Sequence, residues 1–180
     1  MAGLKRELLK MPHTGLVDLV VRLCKQQESA RLYVTAQLGG STVLEPVLCK
    51  QKAVMEKFFF PPNMRGKLRL SDAKKLINDF GKLSPTTEQL VDLMLHYVEL
   101  GVACTNEFGD IDGSFYNSLV GMYRDVIDRL TAEGNHALTR RFQPRLEAVV
   151  NDSSDIGWGF HNDLSEAYHQ FISEYMVSGE

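Results

Sequence analysis

The chain has 180 residues, of which 44% are hydrophobic and 24% are charged, and its formal net charge is −3. These are ordinary globular values, so the composition does not indicate a disordered chain. The charge is unevenly distributed. Residues 1–82 carry 15 Lys and Arg against 7 Asp and Glu, a net charge of +8, whereas residues 83–180 carry 5 against 16, a net charge of −11. Such asymmetry concerns partners and solubility rather than fold.

Cysteine usage and the amino-terminal sequence indicate the compartment. Cys24, Cys49 and Cys104 are odd in number, are widely spaced and form no CxxC pair, which argues against a zinc knuckle, a redox motif or a disulfide scaffold. The first ten residues mix charges into every turn and lack the apolar segment of a signal peptide. We therefore expect a soluble cytoplasmic protein with reduced thiols.

The hydrophobic residues recur with a period of about 3.6 along nearly the whole chain, which predicts helices. In the first third, a short opening helix is followed by a second helix with Thr14 as its N-cap and an apolar stripe of Leu16, Leu19, Val20 and Leu23. A third helix ends at the Gly39-Gly40 pair. The pattern Thr42-Val-Leu-Glu45 predicts a capping box for a helix that ends near Phe59.

The remaining helices are predicted from their caps and breaks. The predicted N-terminal signals are Ser71-Asp72, Ser84-Pro85, Asp112, Asn135 and the capping-box pattern Asp163-Leu-Ser-Glu166. Gly134 is the predicted end of the helix that Asp112 begins, and Pro144 is expected to kink or divide its helix.

These elements predict an all-α protein of roughly eight helices. Both an antiparallel bundle and a short stack of helical hairpins agree with the short loops. We divide the chain into an amino-terminal helical part, residues 1–60, and a carboxyl-terminal part, residues 61–180, which share one core.

Several motifs together resemble a known family. They are Gly66-Lys-Leu-Arg-Leu-Ser-Asp-Ala-Lys-Lys75, Asp92-Leu-Met-Leu-His-Tyr-Val-Glu99, Thr105-Asn-Glu-Phe-Gly-Asp-Ile-Asp112, Phe115-Tyr-Asn-Ser118 and Gly157-Trp-Gly-Phe-His161. Over residues 64–172 this succession resembles an uncharacterised bacterial family known only as a domain of unknown function. The resemblance implies a small intracellular helical protein, and it brings no assigned catalytic residues.

A basic segment around residues 65–75 is the first candidate binding site. It contains Arg65, Lys67, Arg69 and Lys75, and Phe58, Phe59 and Phe60 precede it. Interleaved cations and aromatic rings can bind a phosphate backbone and stack on bases. The simpler alternative is a solvated helix junction whose phenylalanines enter the core. A third alternative is that the basic half docks against the acidic half.

An acidic loop is the candidate metal site. Its carboxylates are Glu107, Asp110 and Asp112, with Glu99 on the preceding helix. Clustered oxygen ligands suit Ca²⁺ or Mg²⁺, although the spacing lacks the ligands of an EF-hand. The alternative is that Asp112 caps a helix and the other carboxylates bond within the loop.

The segment Gly157-Trp-Gly-Phe-His161 is the second candidate binding site, through Trp158 and His161. In one reading the loop faces a ligand and His161 acts as acid, base or donor. In the reading we favour, the loop fixes the last helix, and Trp158 is mostly buried against the helix that carries Leu93 and Tyr97.

The sequence lacks the GxxxxGK[ST], GxGxxG, GxSxG and HExxH motifs, and it predicts no cofactor. The leading hypothesis is a non-enzymatic helical module that binds an unknown protein partner. The alternatives are a nucleic-acid-associated protein that uses residues 65–75 and a metal-dependent enzyme that uses the acidic loop with His161.

Overall fold

The described part of the chain folds into nine α-helices and one 3₁₀ turn, and it contains no β-strand. The computed structural model describes residues 1–39, 41–61, 68–83 and 85–178. The predicted all-α class is confirmed, with one helix more than the expected eight or so. The helices are α1 (Ala2–Leu8), α2 (His13–Gln26), α3 (Glu28–Gly39), α4 (Glu45–Phe59), α5 (Leu70–Gly81), α6 (Thr87–Phe108), α7 (Gly113–Glu133), α8 (His136–Asp152) and α9 (Phe160–Ser178).

The boundaries of α7 and α8 follow the caps that the sequence predicts. Asp112 precedes α7, and its carboxylate accepts a hydrogen bond from the backbone N–H of Phe115 at 2.8 Å. Gly134 ends α7 in the left-handed conformation, with a φ of 61°. The side chain of Asn135 caps α8, which continues unbroken through Pro144.

Two predicted caps in the amino-terminal half are wrong. α2 begins at His13, so Thr14 lies inside the helix rather than at its N-cap. Thr42 lies in the 3₁₀ turn Ser41–Leu44, and α4 begins at Glu45 without a side-chain cap. Because the 3₁₀ turn itself leads into α4, the chain enters the helix without the extended N-cap residue that a capping box requires.

The start of α6 also differs from the prediction. Pro85 precedes the helix, and Ser84 lies outside the described residues. The N-cap is Thr86, which forms a reciprocal capping box with Gln89 at 3.2 Å in both directions. Two further predicted caps lie inside helices, namely Ser71-Asp72 in α5 and Asp163–Glu166 in α9.

The longest helix, α6, lies at the centre of the core. It packs against α4, α5, α7 and α8, while α9 covers α7 and α8. The Phe59 ring of α4 meets the Tyr97 ring of α6 edge-on, with 5.3 Å between the ring centroids. α4 thus contributes to the same core as α6, and the proposed division of the chain at residue 60 stays a prediction.

One glycine allows α6 and α7 to approach each other closely. A β-carbon on Gly101 would lie only 2.4 Å from Cδ2 and 2.5 Å from Cδ1 of Leu119, which is fully buried. Since such distances are far inside van der Waals contact, the interface favours a residue without a side chain at this position.

The first two helices bury none of their side chains, and α3 buries only Ala36. α2 packs against α3, and α3 leads through the 3₁₀ turn into α4. α2 and α3 therefore form a hairpin beside the core, which it joins through Ala36 of α3. No helix within the described residues is long and apolar enough to cross a membrane.

Candidate functional site

The hairpin of α2 and α3 forms a shallow apolar groove of about 790 Å³. Its apolar walls are formed by Leu16, Val17, Val20, Val21, Val34 and Leu38. The wall residues on α2 recur three or four positions apart, so they lie on one face of the helix. Leu38 is 85% exposed, and Val17, Val20 and Val21 of the same groove are exposed as well. Grouped exposed apolar side chains, unlike single scattered ones, mark an interaction surface.

The polar groups at this groove are basic. His13, Lys25 and Arg31 line it together with the apolar side chains, and its lining residues include no carboxylate. Arg31 also lies 4.0 Å from Glu28, but both side chains are more than half exposed, so this ion pair holds Arg31 weakly. An apolar floor with a cationic rim is a surface for binding an apolar and anionic object.

The sequence predicted the apolar stripe of α2 but did not identify it as a site. The signal was present, because α2 carries only three charged residues, Asp18, Arg22 and Lys25, around a wide apolar face. Periodicity alone does not distinguish a helix face that enters the core from one that stays uncovered.

The basic segment is described only in part, because Arg65 and Lys67 lie outside the described residues. Arg69 stacks over the Phe58 ring at 4.7 Å and bonds Asp72 at 2.6 Å. Lys75 bonds Asp79 at 2.5 Å, which holds the pKa of that carboxyl at about 2, chiefly through hydrogen bonds from Lys75 and Lys82. Arg69 and Lys75 are thus engaged with neighbouring carboxylates.

The aromatic residues beside this segment divide between core and surface. Phe59 is fully buried, whereas Phe58 and Phe60 are partly buried against the core. The alternative in which the phenylalanines enter the core therefore holds fully for Phe59 and partly for Phe58 and Phe60. Binding of nucleic acid by residues 65–75 stays a prediction.

The four predicted metal ligands lie in different environments. Asp112 caps α7, and Asp110 accepts a hydrogen bond from the Tyr116 hydroxyl at 3.2 Å. Glu107 is exposed at the end of α6, and Glu99 is bound by Arg145. Among the described residues no three His, Cys, Asp or Glu side chains are grouped as a metal site. The capping alternative accounts for Asp112.

Arg145 joins three helices through a charged network that the sequence analysis did not find. Its guanidinium donates two hydrogen bonds to Glu99, at 2.7 and 2.8 Å, and one to Asp92 at 2.5 Å. Lys52 of α4 reaches the other oxygen of Asp92 at 2.6 Å. His96 lies 3.6 Å from Glu99, three positions further along α6, where helical spacing brings the two side chains together.

This network shifts the pKa values of its carboxyl groups. Burial by itself raises the pKa of Glu99, but hydrogen bonds from His96 and Arg145 outweigh burial and lower it to about 2. The pKa of Asp92 is also lowered, because Lys52 and Arg145 overcome its desolvation. A polar cavity of about 270 Å³ adjoins the network. Charged side chains that line this cavity pair with one another, as Arg141 does with Glu88. The arrangement connects α4, α6 and α8.

The burial predicted for Trp158 is wrong, since its side chain is 65% exposed. α9 packs chiefly on α7 and α8 rather than on α6, the helix that carries Leu93 and Tyr97, so the expected packing surface for Trp158 is not formed. His161 performs the structural task expected of the loop. Its Nδ1 lies 3.1 Å from Ser153 Oγ and 3.2 Å from the carbonyl oxygen of Val150, and it thereby joins α9 to the end of α8.

Comparisons with known proteins give a family and no activity. No curated protein and no solved structure matches the chain. Residues 2–172 match a family described as "Family of unknown function (DUF6155)". Since the match covers nearly the whole sequence, the chain belongs to this family of unknown function.

Proposed function

We propose that the protein is a helical interaction module of the cytoplasm that binds an acidic amphipathic helix of a partner protein in the groove between α2 and α3. The observation that carries the proposal is the hairpin's uncovered apolar face, since α2 buries none of its side chains. An exposed apolar patch that is rimmed by polar groups, as here by Lys25 and Arg31, is typical of an interaction site. The free thiols of Cys24, Cys49 and Cys104 agree with a reducing compartment.

The shape and charge of the groove favour a helical partner. A groove between two helices accepts a third helix through side chains spaced three or four residues apart. The apolar walls fit the apolar stripe of such a helix. Lys25 and Arg31 fit carboxylates that flank this stripe. A second copy of the hairpin would instead bring the same basic rims together.

The test uses a model peptide with a leucine stripe flanked by glutamates, and a matched peptide in which lysines replace the glutamates. We expect the full chain to bind the glutamate peptide saturably, as measured by fluorescence anisotropy of the labelled peptide, and to bind the lysine peptide much more weakly. Val20→Gln should weaken binding about tenfold, because one buried valine contributes ~1.5 kcal/mol.

The chain supplies a matched control for Val20. Leu19 is 37% exposed and Val20 is 40% exposed, but only Val20 lines the groove. Leu19→Gln should therefore leave affinity unchanged. The double variant Lys25→Glu/Arg31→Glu should reverse the preference toward the lysine peptide.

Three outcomes would overturn the proposal. The first is equal affinity for the two peptides, and the second is equal loss of binding in the Leu19 and Val20 variants. The third is a groove that instead binds anionic lipid vesicles, or a second copy of the chain in sedimentation equilibrium, with loss of that binding in Val20→Gln. Circular dichroism of each variant verifies that its helices remain folded.

A further inference from the structure

The backbone of Trp158 has a conformation that side chains disfavour. Its φ of 61° lies in the left-handed region, and among the described residues it is the single non-glycine residue with a positive φ. For a bulky side chain this conformation is strained, and strained residues concentrate at functional sites. Gly157 and Gly159 flank it, and Gly159 has a φ of 73°. Glycine at position 158 would adopt this φ with less strain. The geometry of the turn alone therefore does not explain why the residue is a tryptophan.

The indole is exposed but has a fixed support. Its Cε3 and Cζ3 atoms lie 3.7 and 3.9 Å from the position that a β-carbon on Gly113 would occupy, so the ring edge rests on the first residue of α7. The bonds of His161 to Ser153 and Val150 hold the end of α8 beside the start of α9. Trp158 as a whole is 65% exposed, so most of the indole faces solvent while one edge of the ring rests on this support.

The surroundings of Trp158 are anionic. Asp110 Oδ2 lies 3.5 Å from the position of a β-carbon on Gly157, which places this carboxylate beside the loop. Asn106 donates a hydrogen bond to the carbonyl of Asp152 at 2.9 Å and so joins the end of α6 to the end of α8. These two chain segments carry the exposed carboxylates Glu107, Asp110, Asp152 and Asp155.

No cation in the neighbouring sequence offsets these carboxylates. Residues 99–123 and 146–180 contain no lysine or arginine. Within the described residues the four carboxylates take part in no ion pair, in contrast to Glu99 and Asp92 in the network of Arg145. The surface therefore combines a supported, solvent-facing indole with unneutralised negative charge.

We propose that Trp158, together with Glu107, Asp110, Asp152 and Asp155 on the adjoining segments, binds an arginine-bearing segment of a partner protein. A guanidinium stacks on an indole face through a cation–π interaction, and its N–H groups donate to carboxylates in the same plane. This surface is separate from the groove between α2 and α3, and it has the opposite charge. It binds its ligand whether or not the groove binds an acidic helix.

The test uses an acetylated and amidated hexa-arginine peptide, with hexa-citrulline as the neutral peptide of nearly equal shape. Trp158 is the single tryptophan of the chain, so its fluorescence reports directly on this surface. We expect hexa-arginine to change the emission of Trp158 saturably, to do so less at high salt, and hexa-citrulline to have no effect.

Affinities of variants, measured by titration calorimetry, distinguish binding of hexa-arginine at this site from its general electrostatic attraction to an acidic protein. Trp158→Leu keeps apolar bulk but removes the aromatic face, and should weaken binding about fivefold. Glu107→Gln and Asp155→Asn should each weaken binding at least twofold. Asp125→Asn removes an exposed carboxylate from the middle of α7 and should have the smallest effect.

An affinity that is unchanged in Trp158→Leu would overturn the proposal, as would equal losses in the Asp125 and Asp155 variants. The absence of binding of hexa-arginine at low salt would overturn it as well. Thermal melts verify that each variant remains folded. We expect Trp158→Leu to remain folded, because most of the indole is exposed.

Discussion

Replacing Gly101 with alanine tests the close approach of α6 and α7. The new methyl group would lie 2.4 Å from Cδ2 and 2.5 Å from Cδ1 of Leu119, more than an ångström inside the ~3.5–4.0 Å of a normal carbon contact. Leu119 is fully buried among close-packed side chains, so moving its methyl groups aside would displace its neighbours. Overpacking of this kind costs ~1–3 kcal/mol of the free energy of unfolding.

Helix propensity acts in the opposite direction. Alanine is favoured over glycine in a helix by ~1 kcal/mol. The net effect of Gly101→Ala is therefore a destabilisation of about 0–2 kcal/mol, as measured by urea denaturation followed by circular dichroism. Gly121→Ala is the matched control, since nothing lies within 4 Å of its β-carbon position on α7. This control should stabilise the protein by ~1 kcal/mol.

A double-mutant cycle then isolates the steric contribution. Leu119→Ala alone costs about 2–5 kcal/mol, because it leaves a cavity in the core. In that background the clash is gone, and Gly101→Ala should become stabilising. If Gly101→Ala changes stability equally in both backgrounds, or stabilises the native chain as much as Gly121→Ala does, the reasoning about this contact is wrong.

Three further predictions concern single side chains. Asp112→Ala should lower the free energy of unfolding by ~1 kcal/mol through loss of the α7 cap, with Glu107→Ala nearly neutral as the control. The folded-state pKa of Glu99 is lowered from 4.5 to about 2, so its contribution is complete above pH 4.5 and is lost as the pH falls toward 2. Acid titration of stability should therefore be steeper for the native chain than for Glu99→Gln, by on the order of 2 kcal/mol across this window. Trp158→Ala should cost at most ~2 kcal/mol in a thermal melt, because only about a third of the indole is buried.

The helices could be predicted from the sequence where a cap acts within a few residues. Asp112, Gly134 and Asn135 act on the backbone next to them, and tertiary structure does not displace these contacts. The wrong boundaries lie where the chain continues helically through the predicted cap. Thr42 belongs to a 3₁₀ turn, and Asp163 lies in the first turn of α9, which begins at Phe160. A capping pattern is therefore reliable only when the preceding residue leaves the helical conformation.

The candidate functional sites were harder to predict than the helices. They depend on which surfaces of a helix or loop are covered by other parts of the fold. A lone tryptophan between glycines is compatible with a buried anchor or an exposed platform. The exposure of Trp158, which distinguishes the two, depends on tertiary packing that residue types alone do not determine. The hydrogen bonds from Arg145 to Asp92 and Glu99 join residues about fifty positions apart in the sequence, and no local sequence pattern predicts them. His96 and Glu99 were foreseeable as neighbours because helical spacing is local.

The opposite charges of the two halves have a direct bearing on both proposed surfaces. Most of the ion pairs join residues of the same half, such as Lys75 with Asp79 and Arg145 with Glu99. Within the described residues, Lys52 with Asp92 is the one lysine or arginine pair that crosses from the basic half to the acidic half. Docking of one half on the other therefore neutralises little of either charge among these residues. The basic rim at α2 and α3 and the carboxylates around Trp158 stay available to partners of opposite sign, and binding at both surfaces should weaken as salt is raised.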